Sequence, residues 1–284
     1  MVNVIPLAGL GSRFSKEGYV LPKPLIPVSG VPMIIQAIRN MPPSDKWIFI
    51  VRQEHLQEHH IDQIIKSEIP KAIIISVNET TLGQANTCLL AQAYLLPDEP
   101  MFIAACDNGY VYDSKKYQSL VNNPEISCIV WTFTQMEKMR KSPQSYGWAV
   151  LVEDGLTIRD MSVKVPLSDD PFYDHAVTAT FYFRKAKDFI AAANLMINEN
   201  FQINNEFYVD ALPIFINKLG KKSVIFDVEQ WICWGTPAEL KEYELWEQFF
   251  KEKSSNSNEN QQFNPLIQNK KQYLFWERYF LSKK

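Results

Sequence analysis

Cysteine is scarce in this chain of 284 residues, and its four copies are isolated. Cys88, Cys106, Cys128 and Cys233 form no CxxC pair, and no histidines cluster at metal-ligand spacing. That pattern speaks against a zinc site and a disulfide framework, and makes a reducing cytosol the default compartment. Histidine is also limited to four copies. His55, His59 and His60 fall on a polar segment expected to be exposed, and His175 stands apart from them beside Asp174. No Ser-His-Asp nucleophile arrangement is visible. No run approaches the roughly 18 apolar residues of a transmembrane helix. The opening Met1-Val2-Asn3-Val4-Ile5-Pro6-Leu7 lacks the basic stretch and long apolar core of a secretory signal. A basic surplus is missing too: 29 Lys/Arg face 32 Asp/Glu, a net of −3, so general nucleic-acid binding has no electrostatic support. The expectation is a soluble cytoplasmic protein.

What is present is a globular composition, 46% hydrophobic and 21% charged. The length suits one large α/β domain or two small ones. Charge is uneven, since residues 251–284 hold seven Lys/Arg and three Glu, a net of +4. These charges are scattered, and solvation explains them more simply than an anionic partner.

Short apolar runs alternate with helical patterns through the first half. Val2–Leu7 reads as a buried strand, followed by a Gly/Pro-rich loop from Ala8 to Val31 and a helix over Pro32–Arg39. Trp47–Val51 and Ala72–Val77 read as strands around a polar helix His55–Ile65. Gly83–Leu95 reads as a helix and Pro100–Cys106 as a strand ending at Asp107-Asn108. Such alternation argues a largely parallel sheet with helices on both faces. Further on, Ile126–Thr134, Trp148–Glu153, Ala176–Arg184 and Ser223–Val228 read as strands. Ala186–Ile197 reads as a helix, Phe207–Leu219 as a helix interrupted near Pro213, and Pro237–Phe250 as a helix capped by Thr236. Lys251–Asn264 reads as a linker and Gln272–Leu281 as a short aromatic helix.

The strongest chemical signal is Leu7-Ala8-Gly9-Leu10-Gly11-Ser12-Arg13-Phe14, directly after the first strand. Its two glycines let the backbone approach a ligand and turn N–H groups toward an anion. A dinucleotide fingerprint needs a third glycine where Phe14 stands, and no GxxxxGK[ST] exists, so both common phosphate motifs fail. What remains is a glycine loop carrying Arg13, with Lys23 in Leu21-Pro22-Lys23-Pro24-Leu25. Two cations on such a loop suit a polyphosphate.

With Gly30-Val31-Pro32-Met33-Ile34 added, this pattern resembles the sugar-phosphate nucleotidyltransferases, the nucleoside-diphosphate-sugar pyrophosphorylases and related cytidylyltransferases. The correspondence runs to about residue 240. It implies a Rossmann-like mixed, mostly parallel sheet flanked by helices, with residues 1–250 as the nucleotidyltransferase domain and 251–284 as linker plus basic, aromatic helix. The implied substrates are a nucleoside triphosphate and a phosphorylated small-molecule acceptor, with Mg²⁺ as cofactor. A homo-oligomer is compatible with this reading.

The resemblance also assigns roles. Leu7, Ala8, Gly9, Gly11 and Ser12 fall to the nucleotide, with Arg13 and Lys23 on the triphosphate. Glu79-Thr80-Thr81-Leu82-Gly83-Gln84-Ala85 resembles the segment that holds the nucleobase, giving Glu79, Gly83 and Gln84. Phe102-Ile103-Ala104-Ala105-Cys106-Asp107-Asn108 ends in the implied Mg²⁺ ligand Asp107. A carboxylate beyond a strand's carboxyl end is also where open α/β sheets place their ligands. Tyr146-Gly147-Trp148 and Val163-Lys164-Val165-Pro166 resemble the acceptor segments, with Gly147 and Lys164 as contacts and Val163 in place of a glutamate. Ala179-Thr180-Phe181-Tyr182-Phe183 matches a strand that normally opens with glycine, and Thr178 just before it joins the acceptor set. Glu206, in Glu206-Phe207-Tyr208-Val209-Asp210, does so too.

Trp231-Ile232-Cys233-Trp234-Gly235-Thr236-Pro237 carries the most informative departure, because Cys233 stands where many members have a metal-binding Asp. A thiol is a poor Mg²⁺ ligand. Asp227 or Asp210 supplies the missing carboxylate, or Asp107 serves alone, or catalysis has been lost. The reaction implied is in-line attack of an acceptor phosphate on the α-phosphorus with loss of pyrophosphate. The alternative is a regulatory protein that holds a nucleotide without turnover.

Overall fold

The computed structural model describes residues 1–255 and 268–282. They fall into two compact units. The larger comprises Met1–Leu10, Met41–Cys106 and Tyr112–Glu229; the smaller comprises Gly11–Asn40, Asp107–Val111 and the chain from Gln230 onward.

The larger unit is built on a nine-stranded sheet. Numbered along the chain, its strands are β1 (Val2–Leu7), β4 (Lys46–Arg52), β5 (Ile73–Val77), β6 (Met101–Ile103), β8 (Ile126–Phe133), β9 (Gly147–Leu151), β10 (Ile158–Val163), β11 (His175–Phe183) and β12 (Lys222–Asp227). The order is β10-β9-β11-β6-β1-β4-β5, with β8 also pairing β11 and β12 pairing β8. The ladders from β6 through β1 and β4 to β5 are parallel, as is β8 with β12. Parallel strands are covered on both faces, which explains why β1, β4 and β8 are continuous apolar runs. The expected Rossmann-like mixed, mostly parallel sheet is what the chain forms, with β11 as the antiparallel strand inside it.

Helices Gln84–Leu89, Ala186–Asn198 and Leu212–Lys218 cover one face, where Cys88, Phe189 and Phe215 join Val4, Val130 and Phe181 in the main core. Neighbouring side chains alternate between faces, so Trp131 points opposite to Val130. There it meets the buried ring of Tyr117 from helix Ser114–Asn122, at 5.0 Å between centroids.

The smaller unit has two short pairs, β2 (Pro27–Val28) with β3 (Val31–Pro32) and β7 (Asn108–Val111) with β13 (Gln230–Cys233). Ser29 and Gly30 have φ of 52° and 79°, the left-handed values a tight hairpin turn needs. Thr236 caps helix Pro237–Ser255 as expected: the Glu239 N–H donates to its hydroxyl at 3.2 Å, and that hydroxyl donates to the Glu239 carboxylate at 2.9 Å. Helix Lys270–Ser282 lays the buried Trp276 and Tyr279 against the longer helix. Trp276 stacks on Trp246 at 6.4 Å, and Tyr243 meets Tyr279 edge-on at 6.0 Å. The aromatic C-terminal segment therefore packs on its own unit.

Several expectations need correction. The polar helix is two helices, Gln53–His59 and Ile61–Glu68, broken where His60 turns left-handed at φ 49°. His55 is buried rather than exposed, and that burial lowers its pKa. The strand expected over Pro100–Cys106 ends at Ile103, and a separate strand starts at Asn108. Pro213 does not interrupt a helix; it lies in the first turn of Leu212–Lys218, where a missing N–H costs nothing. The helix from Pro237 runs to Ser255, into the expected linker, whose residues 256–264 lie outside the described ones. The strand β10 carried too weak an alternation to be expected.

Ala179 explains the break in the register of β11 with β8, between Val177 and Phe181. Its φ is 58°, a conformation that costs a non-glycine residue about 1–2 kcal/mol. Ala179→Gly should raise stability by about 0.5–1 kcal/mol in urea unfolding, after glycine's own entropy is subtracted. A loss of stability would show that the Ala179 methyl is needed for packing.

Candidate active site

In the smaller unit, the glycine loop leads into a single helical turn, Ser12–Ser15. Gly11 adopts φ 63°, and its carbonyl accepts from the Phe14 N–H at 2.9 Å. A Cβ on Gly11 would lie 3.1 Å from the Lys23 Cβ, so this glycine leaves the space through which the lysine rises. Arg13 and Ser12 are exposed. Lys23 opens the turn Lys23–Leu25, and its ammonium donates directly to Asp107 Oδ2. The two side chains are only 21% and 15% exposed, so the pair is shielded from water more than a surface ion pair.

Asp107 is fixed from the other side by β13. Asn108 pairs with Cys233, and the Trp234 N–H donates to the Asp107 carbonyl at 2.8 Å. Gly235 faces this carboxylate: a Cβ there would sit 2.9 Å from Asp107 Oδ2 and 3.1 Å from the Cys233 sulfur. The Cys233 thiol donates to Glu239 Oε2 at 3.3 Å and accepts from the Gly235 N–H at 3.3 Å. It is therefore held within its own helix-start network.

In the larger unit, Leu7 and Ala8 are buried at the end of β1, and Gly9 is exposed beyond them. The segment expected to hold a base is stapled by backbone. The Phe207 N–H donates to the Leu82 carbonyl at 2.8 Å, and the Ala85 N–H donates to the Phe207 carbonyl at 3.0 Å. Gly83 has φ 118°, and a Cβ on it would fall 2.5 Å from the Phe207 nitrogen. Only glycine satisfies both constraints. Gln84 starts the following helix, and Glu79 is exposed.

Of the residues expected to contact the acceptor, Gly147, Lys164 and Glu206 lie near one another in the larger unit. Gly147 pairs with Val163 across β9 and β10, which brings Lys164 next to Tyr146. Lys164 has φ 66°, held by its N–H donating to the Tyr146 carbonyl at 2.9 Å. Its ammonium donates to the Ser145 carbonyl at 2.7 Å and lies 5.4 Å from the Tyr208 ring centroid. Asp210 joins them: its carboxyl occupies the volume that a Cβ on Gly147 would need. Burial pushes the Asp210 carboxyl up to about 6, with Lys164 pulling the other way. Glu206 is hydrogen-bonded to the Tyr208 hydroxyl, which together with burial raises that phenol. From sequence Asp210 was a spare metal carboxylate within a segment assigned to the acceptor; its contact with Gly147 joins distant segments and leaves no local signal.

Two expected residues are engaged elsewhere in this unit. Thr178 is 1% exposed, and its hydroxyl donates to the Trp131 carbonyl at 3.1 Å. Asp227 Oδ1 accepts from Thr132 at 2.7 Å and lies 2.9 Å from His175 Nδ1. Burial pushes the Asp227 carboxyl up, but the bonds from His175 and Thr132 outweigh it and leave the group below its ordinary value.

The sequence model of the nucleotidyl transferase family matches residues 2–245. The chain belongs to that family. This nucleotidyltransferase is similar in fold to three solved structures. A nucleoside-diphosphate-sugar pyrophosphorylase from Vibrio cholerae RC9 is 19% identical, with TM-score 0.65, over 86% of this chain and 99% of that one. The inositol-1-phosphate CTP transferase from T. maritima is 16% identical, with TM-score 0.64, over 86% and 94%. A UDP-glucose pyrophosphorylase complexed with UDP-glucose is 17% identical, with TM-score 0.64, over 88% and 98%. No curated relative matches by sequence. Among the described residues no helix is long and apolar enough to cross a membrane.

Among the described residues of the nucleotidyltransferase, no three His, Cys, Asp or Glu side chains gather into a metal cage. Asp107 alone still fits Mg²⁺, which commonly takes one or two carboxylates with the rest from phosphates and water. Gly235 adds no side chain over the Asp107 oxygen, which Lys23 holds in this structure. Cys233 adds a soft donor and does not improve the set.

Asp210 carries a pH signature. Its pKa is raised from 3.8 in the unfolded chain to about 6, so the folded protein holds the proton more tightly. Its contribution to stability is fully present below about pH 4 and is lost as pH rises through 6. Asp210→Asn should therefore be little changed at pH 4.5 and more stable than the parent at pH 8, by about 2–3 kcal/mol at 1.36 kcal/mol per pK unit. Urea unfolding at both pH values reads the difference; an equal effect at both contradicts the assignment.

Proposed function

We propose that this nucleotidyltransferase transfers a nucleoside monophosphate from a nucleoside triphosphate to a phosphorylated small-molecule acceptor, releasing pyrophosphate. The observation that carries the reading is the Lys23–Asp107 contact: a cation whose path is cleared by Gly11 meets a hard carboxylate at the join of β6 and β7. In-line displacement at phosphorus requires positioning and charge neutralisation, with no covalent nucleophile from the protein.

In this reading Gly9, Gly11 and Ser12 supply the loop for the triphosphate, and Arg13 and Lys23 neutralise the leaving pyrophosphate. Gly83, Gln84 and Glu79 hold the base, and Lys164 orients the incoming phosphate, with Gly147 and Glu206 beside it. Asp107 would hold Mg²⁺, which when bound supplies charge neutralisation on the phosphates. Two of the named neighbours are an inositol-1-phosphate CTP transferase and a UDP-glucose pyrophosphorylase, which supports an acceptor of that general size. Val163 in place of a glutamate and Cys233 in place of an aspartate favour an acceptor outside the commonest sugar 1-phosphates. The resemblance supports a product that feeds surface-polysaccharide or glycoconjugate assembly, and the four isolated cysteines support a reaction in the cytosol.

The second reading, nucleotide binding without turnover, is motivated by Cys233, whose thiol is bonded to Glu239 and Gly235. Pyrophosphate release separates the two. CTP, UTP, dTTP, GTP and ATP are each offered with Mg²⁺ and a panel of sugar and non-sugar phosphates. Release with one pair is expected. Lys23→Ala and Arg13→Ala should each lower turnover by about 100-fold, the scale of a lost transition-state charge clamp. Losses below about threefold for both would remove the loop's assignment. Calorimetric nucleotide binding with no release from any pair would favour the second reading, and a Cys233→Asp variant that then turned over would decide for it.

A further inference from the structure

We infer that Asp210 is the positioning residue for the acceptor lysine: it sets the place of the Lys164 ammonium from beneath Gly147, so that the acceptor's phosphate meets a cation already aimed. The inference rests on the proposed role of Lys164 as the phosphate-holding residue.

Three features of the larger unit converge on it. The first is strain. Lys164 is left-handed at φ 66°, which a lysine adopts only when its surroundings impose it. Its N–H and ammonium are tied to the consecutive carbonyls of Tyr146 and Ser145, the two residues that precede Gly147. The second is space. The Asp210 carboxyl fills the room that any side chain at position 147 would take, so the glycine and the carboxyl imply one another. The third is charge. Asp210 is 9% exposed, and Lys164 is the one charged side chain that bears on its proton affinity. A buried carboxylate in an apolar core is costly unless a cation answers it, and this core already contains Val209, Ala211 and Leu212 around it.

The segment carrying Asp210 has a second attachment. Three residues upstream, Phe207 is bonded through its backbone to Leu82 and Ala85. Asp210 is therefore anchored to the base-holding segment while it directs the acceptor lysine, and Tyr208 between them offers its ring to the same ammonium. A phosphate arriving at Lys164 has only to replace the Ser145 carbonyl; Asp210 and the Tyr208 face stay in place.

The test uses the full chain at pH 8. Asp210→Asn keeps the shape and removes the charge, and Asp210→Ser serves as a second variant should the first not fold. Amine acylation with acetic anhydride, read residue by residue by mass spectrometry, needs no substrate. Labelling of Lys164 should rise at least threefold in the variant while the exposed Lys66 and Lys71 stay unchanged. Equal labelling of Lys164 overturns the inference. With the nucleotide–acceptor pair found by pyrophosphate release, the acceptor KM should rise about tenfold or more, with kcat and the nucleotide KM within threefold. In a Lys164→Met background the same substitution should add less than twofold, because the effect runs through the lysine. An acceptor KM within twofold of the parent, or an undiminished effect in the Lys164→Met background, leaves Asp210 a buried structural group and overturns the inference. Failure of every pair to turn over counts against the proposed function, and the labelling still decides the role of Asp210.

Discussion

The contact between Lys23 and Asp107 is the constraint on which the proposed chemistry of this protein turns. Both groups belong to the smaller unit, and each is delivered by a different device. Lys23 comes from a proline-flanked turn whose path is cleared by Gly11. Asp107 comes from the join between β6 and β7, and its backbone is pinned by Trp234. Gly235, having no side chain, leaves room on its side of the carboxylate. A partly shielded ion pair of this kind contributes little net stability, because desolvation offsets the attraction. In the proposed reaction the two charges exchange partners, the cation toward phosphate and the carboxylate toward a metal.

Glycine in the larger unit acts in the complementary sense, by admitting neighbouring chain rather than ligand. Gly83 admits the backbone of Phe207, and Gly147 admits the carboxyl of Asp210. Because Phe207 and Asp210 lie on one short segment, two regions far apart in sequence are referenced to a single stretch of chain. The αL residues Lys164 and Ala179 belong to the same economy of space, each at a point where a strand ends or shifts register.

Much of this was legible in the residues. The apolar runs located β1, β4, β5, β8, β11 and β12, and the glycine loop with Arg13, Lys23 and Asp107 pointed to phosphate chemistry once its spacing was compared with a family. Local signals failed where tertiary contacts decided. His60 breaks a helix because it takes a left-handed conformation between two helices, which no propensity anticipates. Asp227 suggested a metal ligand by proximity to Cys233 in sequence, but it is engaged by Thr132 and His175 across β8 and β11. Asp210 was legible as a spare carboxylate in the segment of Glu206, but its contact with Gly147 was not, since only the fold brings the two together. The split of the chain into two interleaved units was equally hidden, because each unit draws on separate stretches.

The central claim is that Asp107 carries the reaction's metal dependence without a second carboxylate at position 233. Asp107→Asn tests it most directly, with pyrophosphate release followed across a Mg²⁺ titration and nucleotide affinity measured by calorimetry without metal. The account predicts that Mg²⁺-dependent release falls by about 1,000-fold, within the range of a lost transition-state charge stabiliser, while metal-free nucleotide affinity changes less than threefold. Release that keeps the parent's rate and Mg²⁺ dependence would contradict it and move the metal-bearing role to another residue.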